Sequence, residues 1–316
     1  DGYAEVIPLD RYVEDVKMSR SLREENLPLI AIIPVEGTLM PGNSEEGMAG
    51  SDTINGYIDT VLEAEDLTAI VLRVNSPGGS VFASDLIRRK LLEVADAGIP
   101  IVVSMGTVAA SGGYWIAAEA DEIWALPTTL TGSIGAFTAF PTIEGILEYI
   151  GVTVDGVGTT PLAGAASLNR GLSPEMASIV QALAYGAYDD FIELVASGRD
   201  MSEQAVRDVA NGLVWTGAEA ADRGLVDELG GLHEAVVAAA RLAGVGDWRT
   251  ARTRVPPSFE SVLLKELSGS FGMVAAPPGG WFESLVNAFK PAIRSLSSLR
   301  DPMHVYAQCF ACAPLL

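Results

Sequence analysis

The 316-residue chain sets 20 Lys and Arg against 41 Asp and Glu, a formal charge of −21, with 49% hydrophobic and 19% charged residues. Such a composition belongs to a folded chain with core enough for one or two domains. The acidity argues against nucleic acid as a partner and against docking on anionic lipid, and no apolar run reaches the roughly 20 residues that span a bilayer.

Residues 1–27 are polar and of mixed charge, as in Arg11-Tyr12-Val13-Glu14-Asp15-Val16-Lys17, and read as the continuation of an upstream element. The start at Asp1 instead of Met suggests a processed or excised chain. Leu29 to Val35 is β-rich and supplies the first core strand. The Gly-, Ser- and Glu-rich stretch 41–51 is expected to be a mobile loop. From Thr53 to Ala64, the residues Ile54, Ile58, Val61 and Leu62 fall on one helical face. A strand over 69–74 leads into Pro77-Gly78-Gly79 and a helix from Ser84 to Ala97, with Ser84-Asp85 as its cap signal. A second strand, 101–105, leads into Ala110-Ser111-Gly112-Gly113 and a helix through Ala120. A short strand at 122–125 and a loop from Pro127 to Gly135 follow. Helices are expected over Thr142–Ile150, Pro174–Ser197, Ser202–Ala210, Gly217–Gly224 and Leu232–Ala243. Beyond Gly244, the pairs Pro256-Pro257 and Pro277-Pro278 interrupt amphipathic stretches such as Trp281 to Phe289. Strands alternating with helices imply right-handed βαβ units and a mostly parallel sheet.

The chemistry concentrates at the two glycine turns. Each follows an apolar strand and precedes a helix, so both fall at the carboxyl end of the sheet, where open α/β folds place their ligands. A serine at such a turn has its hydroxyl pushed outward, near the positive end of a helix. Paired glycines let backbone N–H groups approach a substrate carbonyl that a Cβ would block. Ser111 is therefore the candidate nucleophile, set against a structural helix cap, and Gly79 and Gly112 are the candidate oxyanion donors.

A nucleophilic serine needs a base. His233 sits at a helix start and His304 near the C-terminus, where surface or capping roles suit both. The four lysines are Lys17, Lys90, Lys265 and Lys290. Lys90 lies in an Arg88-Arg89-Lys90 run and is expected to be solvated, and the others are remote in sequence from the turns. Cys309 and Cys312 form one Cys-x-x-Cys pair, too few ligands for tetrahedral zinc. They are either a disulfide or two idle thiols. Neither a metal nor a cofactor is expected.

Four segments then carry a resemblance: Asn75-Ser-Pro-Gly-Gly-Ser80, Met105-Gly-Thr-Val-Ala-Ala-Ser-Gly-Gly-Tyr-Trp115, Leu130-Thr-Gly-Ser-Ile-Gly135 and Val214-Trp-Thr-Gly217. With the tail from Asp301-Pro302 to Cys309-x-x-Cys312, they resemble the signal peptide peptidase A (protease IV) family. The likeness is greatest to the C-terminal half of its long, internally duplicated bacterial form. The resemblance implies a Ser/Lys-dyad endopeptidase that degrades remnant signal peptides. Ser111 matches the nucleophile, Gly79 and Gly112 the oxyanion donors, and Ser133 the serine that orients the catalytic lysine; Gly78 and Gly113 flank the substrate. In the long form the lysine belongs to the N-terminal half, and the stretch Asp155 to Ala163 here contains none.

The expected architecture is an α/β, crotonase/Clp-protease-like ββα superhelix unit with a helical C-terminal extension. The expected divisions are 1–27, continuing from a missing upstream half; 28–246, the catalytic domain; and 247–316, an extension packing on an oligomer or partner. The expected partners are a signal peptide or other unfolded apolar peptide, the missing N-terminal half, and further copies in a ring. The resemblance also implies attachment to the bacterial inner membrane through a missing anchor, with the catalytic domain periplasmic. The rival readings are a catalytically incomplete scaffold or pseudoprotease half and, further off, a crotonase-type acyl-CoA enzyme.

Overall fold

The computed structural model describes residues 8–14, 26–160, 162–165, 167–253, 300–309 and 311–312. Helices and strands alternate through most of the chain, in the α/β class. The first half contains β1 (Leu29–Glu36), β2 (Thr38–Met40), β3 (Met48–Gly50), α1 (Ser51–Leu62), β4 (Leu67–Ser76), β5 (Gly78–Ser80), α2 (Val81–Asp96), β6 (Ile101–Ala110), α3 (Gly112–Trp115), β7 (Glu122–Ala125), β8 (Leu130–Gly132), β9 (Phe137–Thr138) and α4 (Glu144–Tyr149). The second half contains α5 (Pro174–Gly198), α6 (Glu203–Val209), β10 (Val214–Thr216), α7 (Gly217–Ala221), β11 (Glu228–Leu229), α8 (Leu232–Leu242), β12 (Arg249–Arg252) and β13 (Val305–Gln308).

The main sheet runs β10-β8-β6-β4-β1-β12, with β7 joined to β6 and β11 to β7. Its centre, β1, β4 and β6, is parallel. Alternation along these strands sorts their side chains onto two faces. Ile30, Ile32, Ala69, Val71 and Val102 meet Ala235, Val236 and Ala239 of α8. The intervening Ile33, Ile70, Leu72 and Val103 join the larger core with Ile58 of α1, Ile87 of α2, Trp115 of α3 and Phe191 of α5. Burial on both sides is why β1, β4 and β6 read as near-continuous apolar runs. A smaller sheet, β3-β2-β5-β13-β9, stands beside the ends of β4 and β6.

Several boundaries differ from the sequence expectation. Helix α2 starts at Val81 because the Ser80 hydroxyl accepts from Ala83 N (3.0 Å), so the cap is Ser80 and not Ser84-Asp85. Helix α3 is a single turn that does not continue to Ala120. The stretch 41–51 is tied down: β3 pairs with β2, Gly50 N donates to Ser44 Oγ (2.9 Å) and Ser44 N to Thr53 Oγ1 (2.8 Å). Part of the loop 127–135 is a strand, β8, parallel to β6. Beyond 246, β12 pairs with β1 and β13 enters the smaller sheet. Trp281 to Phe289, and with it the expected helical extension, lies outside the described residues. Among the described residues, no helix is long and apolar enough to cross a membrane.

Candidate active site

Strands β4 and β6 carry the two turns, and a bulge aligns them. Val74 pairs with Met105 but Ser76 with Ala109, so β6 accommodates the additional residues. Asn75 fills the irregularity: its Oδ1 accepts from Val108 N (3.2 Å), and a Cβ on Gly106 would lie 2.8 Å from that oxygen. Thr129 Oγ1 donates to the Gly106 carbonyl from the other side (2.8 Å). A bulge bends its strand and re-aims the residues beyond it. Here the end of β6 turns toward β5.

Ser111 terminates β6 with φ 55° and ψ −117°, a left-handed conformation that costs a non-glycine residue about 1–3 kcal/mol. Its N–H donates to the Gly132 carbonyl (2.7 Å), and its own carbonyl accepts from Tyr114 N and Trp115 N (2.9 and 2.8 Å). The backbone is held from both ends, whereas the hydroxyl makes no capping bond to α3. The structural-cap reading of Ser111 therefore does not hold. Tyr114 pins α3 from behind by donating its hydroxyl to the Leu225 carbonyl (2.7 Å), and complete burial pushes that phenol well above its ordinary pKa.

Ser133 also has a positive φ, 50°, and its N–H donates to the Leu213 carbonyl (2.8 Å). It directly follows Gly132, the residue that holds Ser111 N, so the two candidate serines lie at adjoining strand ends. Gly78 and Gly79 form β5 with φ 91° and 156°. A Cβ on Gly78 would collide with the Ala307 carbonyl oxygen and lie 2.5 Å from Gly112 N. One on Gly112 would lie 2.7 Å from Ser84 Oγ, 2.9 Å from the Ala307 oxygen and 3.1 Å from Gly79 N. Gly79 N and Gly112 N thus approach a common point beside Ser111, with no room there for a side chain. Gly112 N is the first amide of α3, which has no intrahelical acceptor. A Cβ on Gly113 would lie 2.7 Å from the Ser76 carbonyl, so close packing of α3 on β4 accounts for that glycine.

Among the described residues, the candidate bases are exposed or engaged elsewhere. Lys90 bonds both Asp59 and Glu93 (2.7 Å each), partners that raise its pKa, the opposite of what a neutral amine base needs. Lys17, Lys265 and Lys290 lie outside the described residues. His233 is exposed. The His304 ring lies against Phe140 with 4.3 Å between centroids, and His304 itself has φ 55°. No group of three His, Cys, Asp or Glu able to hold a metal occurs among the described residues.

Two features escape a linear reading. Asn75 was visible only as part of a turn. β13, 225 residues beyond β5, pairs with it, Ala307 opposite Gly79. The one available signal was the short run Val305-Tyr306-Ala307 after Asp301-Pro302. Cys309 and Cys312 are joined in a disulfide that packs against Val108 and Ala110 at the end of β6.

Residues 93–246 match the sequence model described as "Peptidase family S49". The chain is 42% identical to "Protease 4" of Salmonella typhi over 90% of its own length and 47% of that protein's. It is 44% identical to "Protease 4" of Haemophilus influenzae over 77% of its own length and 39% of that protein's. A Synechocystis protein named "Putative protease slr0021" is 36% identical over 68% of this chain and 75% of its own length. Among solved structures, a ClpP1 mutant of Listeria monocytogenes aligns with a TM-score of 0.43 and 16% identity, over 65% of this chain and 94% of that one. The chain therefore spans about half or less of the length of the two Protease 4 relatives.

Proposed function

Because the chain belongs to peptidase family S49, we propose that it is the nucleophile-bearing part of a serine endopeptidase of the Ser/Lys-dyad type. The observation that carries this reading is the Ser111 backbone, forced to φ 55° at the end of β6 with its hydroxyl left out of the helix it precedes. Ser111 Oγ attacks the scissile carbonyl, and the Gly79 and Gly112 amides receive the developing oxyanion. Removing one such donor typically costs about 3 kcal/mol of transition-state stabilisation. Collapse of the tetrahedral species expels the amine and leaves an acyl-enzyme, which water then hydrolyses.

The base is a lysine of a polypeptide outside this chain, oriented by Ser133. Two observations support this: Lys90 is committed to Asp59 and Glu93, and Ser133 stands at the strand end next to Ser111. The substrates are apolar peptides such as remnant signal peptides, the class that the family resemblance implies. Exposed apolar residues of α4 and the turn after it, Ile146, Tyr149 and Ile150, support association into a ring of copies. Attachment to the inner membrane and a periplasmic site rest on the resemblance alone.

The test is covalent labelling by a fluorophosphonate, with and without the lysine-bearing polypeptide. Labelling that maps to Ser111, requires the second polypeptide and vanishes in Ser111→Ala is the expected result. Absence of label in both conditions overturns the reading and leaves a peptide-binding scaffold, and label that persists in Ser111→Ala places the nucleophile elsewhere.

A further inference from the structure

A cleft of about 650 Å³ opens between α2, α3 and α5, a size within the range of ligand sites. It borders the elements that set the two amides. Val81 and Phe82 directly follow β5, and Trp115 ends the helical turn that begins at Gly112. The candidate catalytic serines and the glycine turns contribute none of its lining.

The lining is of two kinds. Phe82, Trp115, Leu194 and Met303 are apolar, and Phe82 and Met303 remain 37% and 45% exposed. The rest is dominated by charge: Asp85, Arg88, Arg89, Glu119, Asp190 and Glu193. Arg88 joins Asp85 (3.2 Å) and Glu119 (2.6 Å), and Arg89 joins Asp85 (2.7 Å), so the two arginines balance those two carboxylates. Asp190 and Glu193 have no cationic partner among the described residues. Three positions apart on α5, they share one helix face and leave the cleft with two uncompensated carboxylates.

A third feature is an unused donor. Trp115 is 4% exposed, and its buried indole N–H has no hydrogen-bond partner. Buried polar groups are nearly always paired, so a donor without an acceptor at a cleft wall is a mark of something missing. Together the three features select a class of ligand. A metal ion gains nothing from apolar walls, and an aliphatic amine offers no acceptor to an indole. A peptide in which lysine or arginine adjoins apolar residues supplies every part: a cation for Asp190 and Glu193, side chains for Phe82, Leu194 and Met303, and a backbone carbonyl for Trp115.

We propose that this cleft is a docking subsite for such a basic and apolar peptide segment, outside the span held at the glycine amides. A basic start followed by an apolar run is the make-up of a secretory signal peptide. The cleft therefore selects among the substrates proposed above, gripping the basic end while the apolar run reaches Ser111. Cleavage of the docked peptide rests on the serine-peptidase reading, whereas docking rests on the cleft alone.

The experiment measures binding of a fluorescein-labelled peptide to the full chain by fluorescence anisotropy. The peptide has two lysines followed by alternating leucine and alanine, and its control has glutamine in place of both lysines. The lysine peptide should bind about ten-fold more tightly than the control, with the difference shrinking as salt is raised. The double variant Asp190→Asn, Glu193→Gln changes two exposed side chains and should melt like its parent, yet lose the preference for lysine. Trp115→Phe removes the N–H while keeping a ring against Phe191, and should weaken both peptides alike. Equal binding of the two peptides by the unaltered chain, an undiminished preference in the double variant, or undiminished affinity in Trp115→Phe each overturns the proposal. So does a double variant that changes the association of copies of the chain but not peptide affinity, which makes the cleft a contact between copies. A lysine preference with Ser111 unlabelled by the fluorophosphonate beside the lysine-bearing polypeptide sinks the peptidase reading and leaves the docking site. Label at Ser111 with no preference between the peptides does the reverse.

Discussion

Helices α2 and α3 begin within a few ångströms of each other, each at a serine following a strand, yet the two serines are used in opposite ways. Ser80 is extended (φ −63°, ψ 127°), and its hydroxyl accepts from Ala83 N. Ser173 and Ser202 do the same for α5 and α6. Ser111 occupies the same nominal position with φ 55° and no such bond. A serine in the relaxed cap conformation is already engaged by its own helix. Freedom of the Ser111 hydroxyl requires a strained backbone, held by the Gly132 carbonyl on one side and the Tyr114 and Trp115 amides on the other.

The contrast can be broken most directly at the hydroxyl itself. Ser111→Ala, assayed by fluorophosphonate labelling beside the lysine-bearing polypeptide, should lose the label altogether, because the oxygen that forms the adduct is gone. The same replacement at Ser80 should leave the chemistry of Ser111 in place. Gly78→Ala should come next, at about 3 kcal/mol of stability in denaturant melts, because its Cβ would meet the Ala307 oxygen and Gly112 N at a positive φ. Ser80→Ala should cost about 2 kcal/mol, from loss of the cap and of the hydroxyl that Asp301 accepts from. Smallest and opposite in sign, Ser111→Gly should raise stability by about 1 kcal/mol by relieving the left-handed conformation, while abolishing the label. A Ser111→Gly chain less stable than its parent would mean that the elbow stores no strain.

How much of this was legible depended on where each residue's partners lie in the chain. β1, β4 and β6 are long and buried on both faces, so Leu29–Val35, Ala69–Val74 and Ile101–Met105 announced themselves. The helices over Pro174–Ser197 and Ser202–Ala210 were local and equally readable. β5, β8, β9 and β13 have two to four residues and include Gly-Gly-Ser and Leu-Thr-Gly, compositions that suggest turns. They are strands only because remote segments offer them backbone partners, which no local pattern encodes. Asp85 after Ser84 imitated a cap signal, whereas the functioning cap lay where the chain leaves β5. At the site, the two glycine turns pointed to Ser111, Gly79 and Gly112 and the family resemblance added Ser133, and these four residues lie at adjoining strand ends. Asn75 and Asp301 were unreadable, since their roles consist of bonds to Val108 and to Ser80.

The amide tie between Ser111 and Gly132 has a consequence for biosynthesis. That carbonyl belongs to a strand made later than the serine it restrains, and the Asn75 contact requires β4 and β6 to have docked already. A ribosome-bound chain that has emerged only as far as Ser111 lacks the bond that sets the elbow. On the proposed reading, the nucleophile is positioned only once the surrounding strands are complete, and a chain not yet folded through β8 has no set elbow.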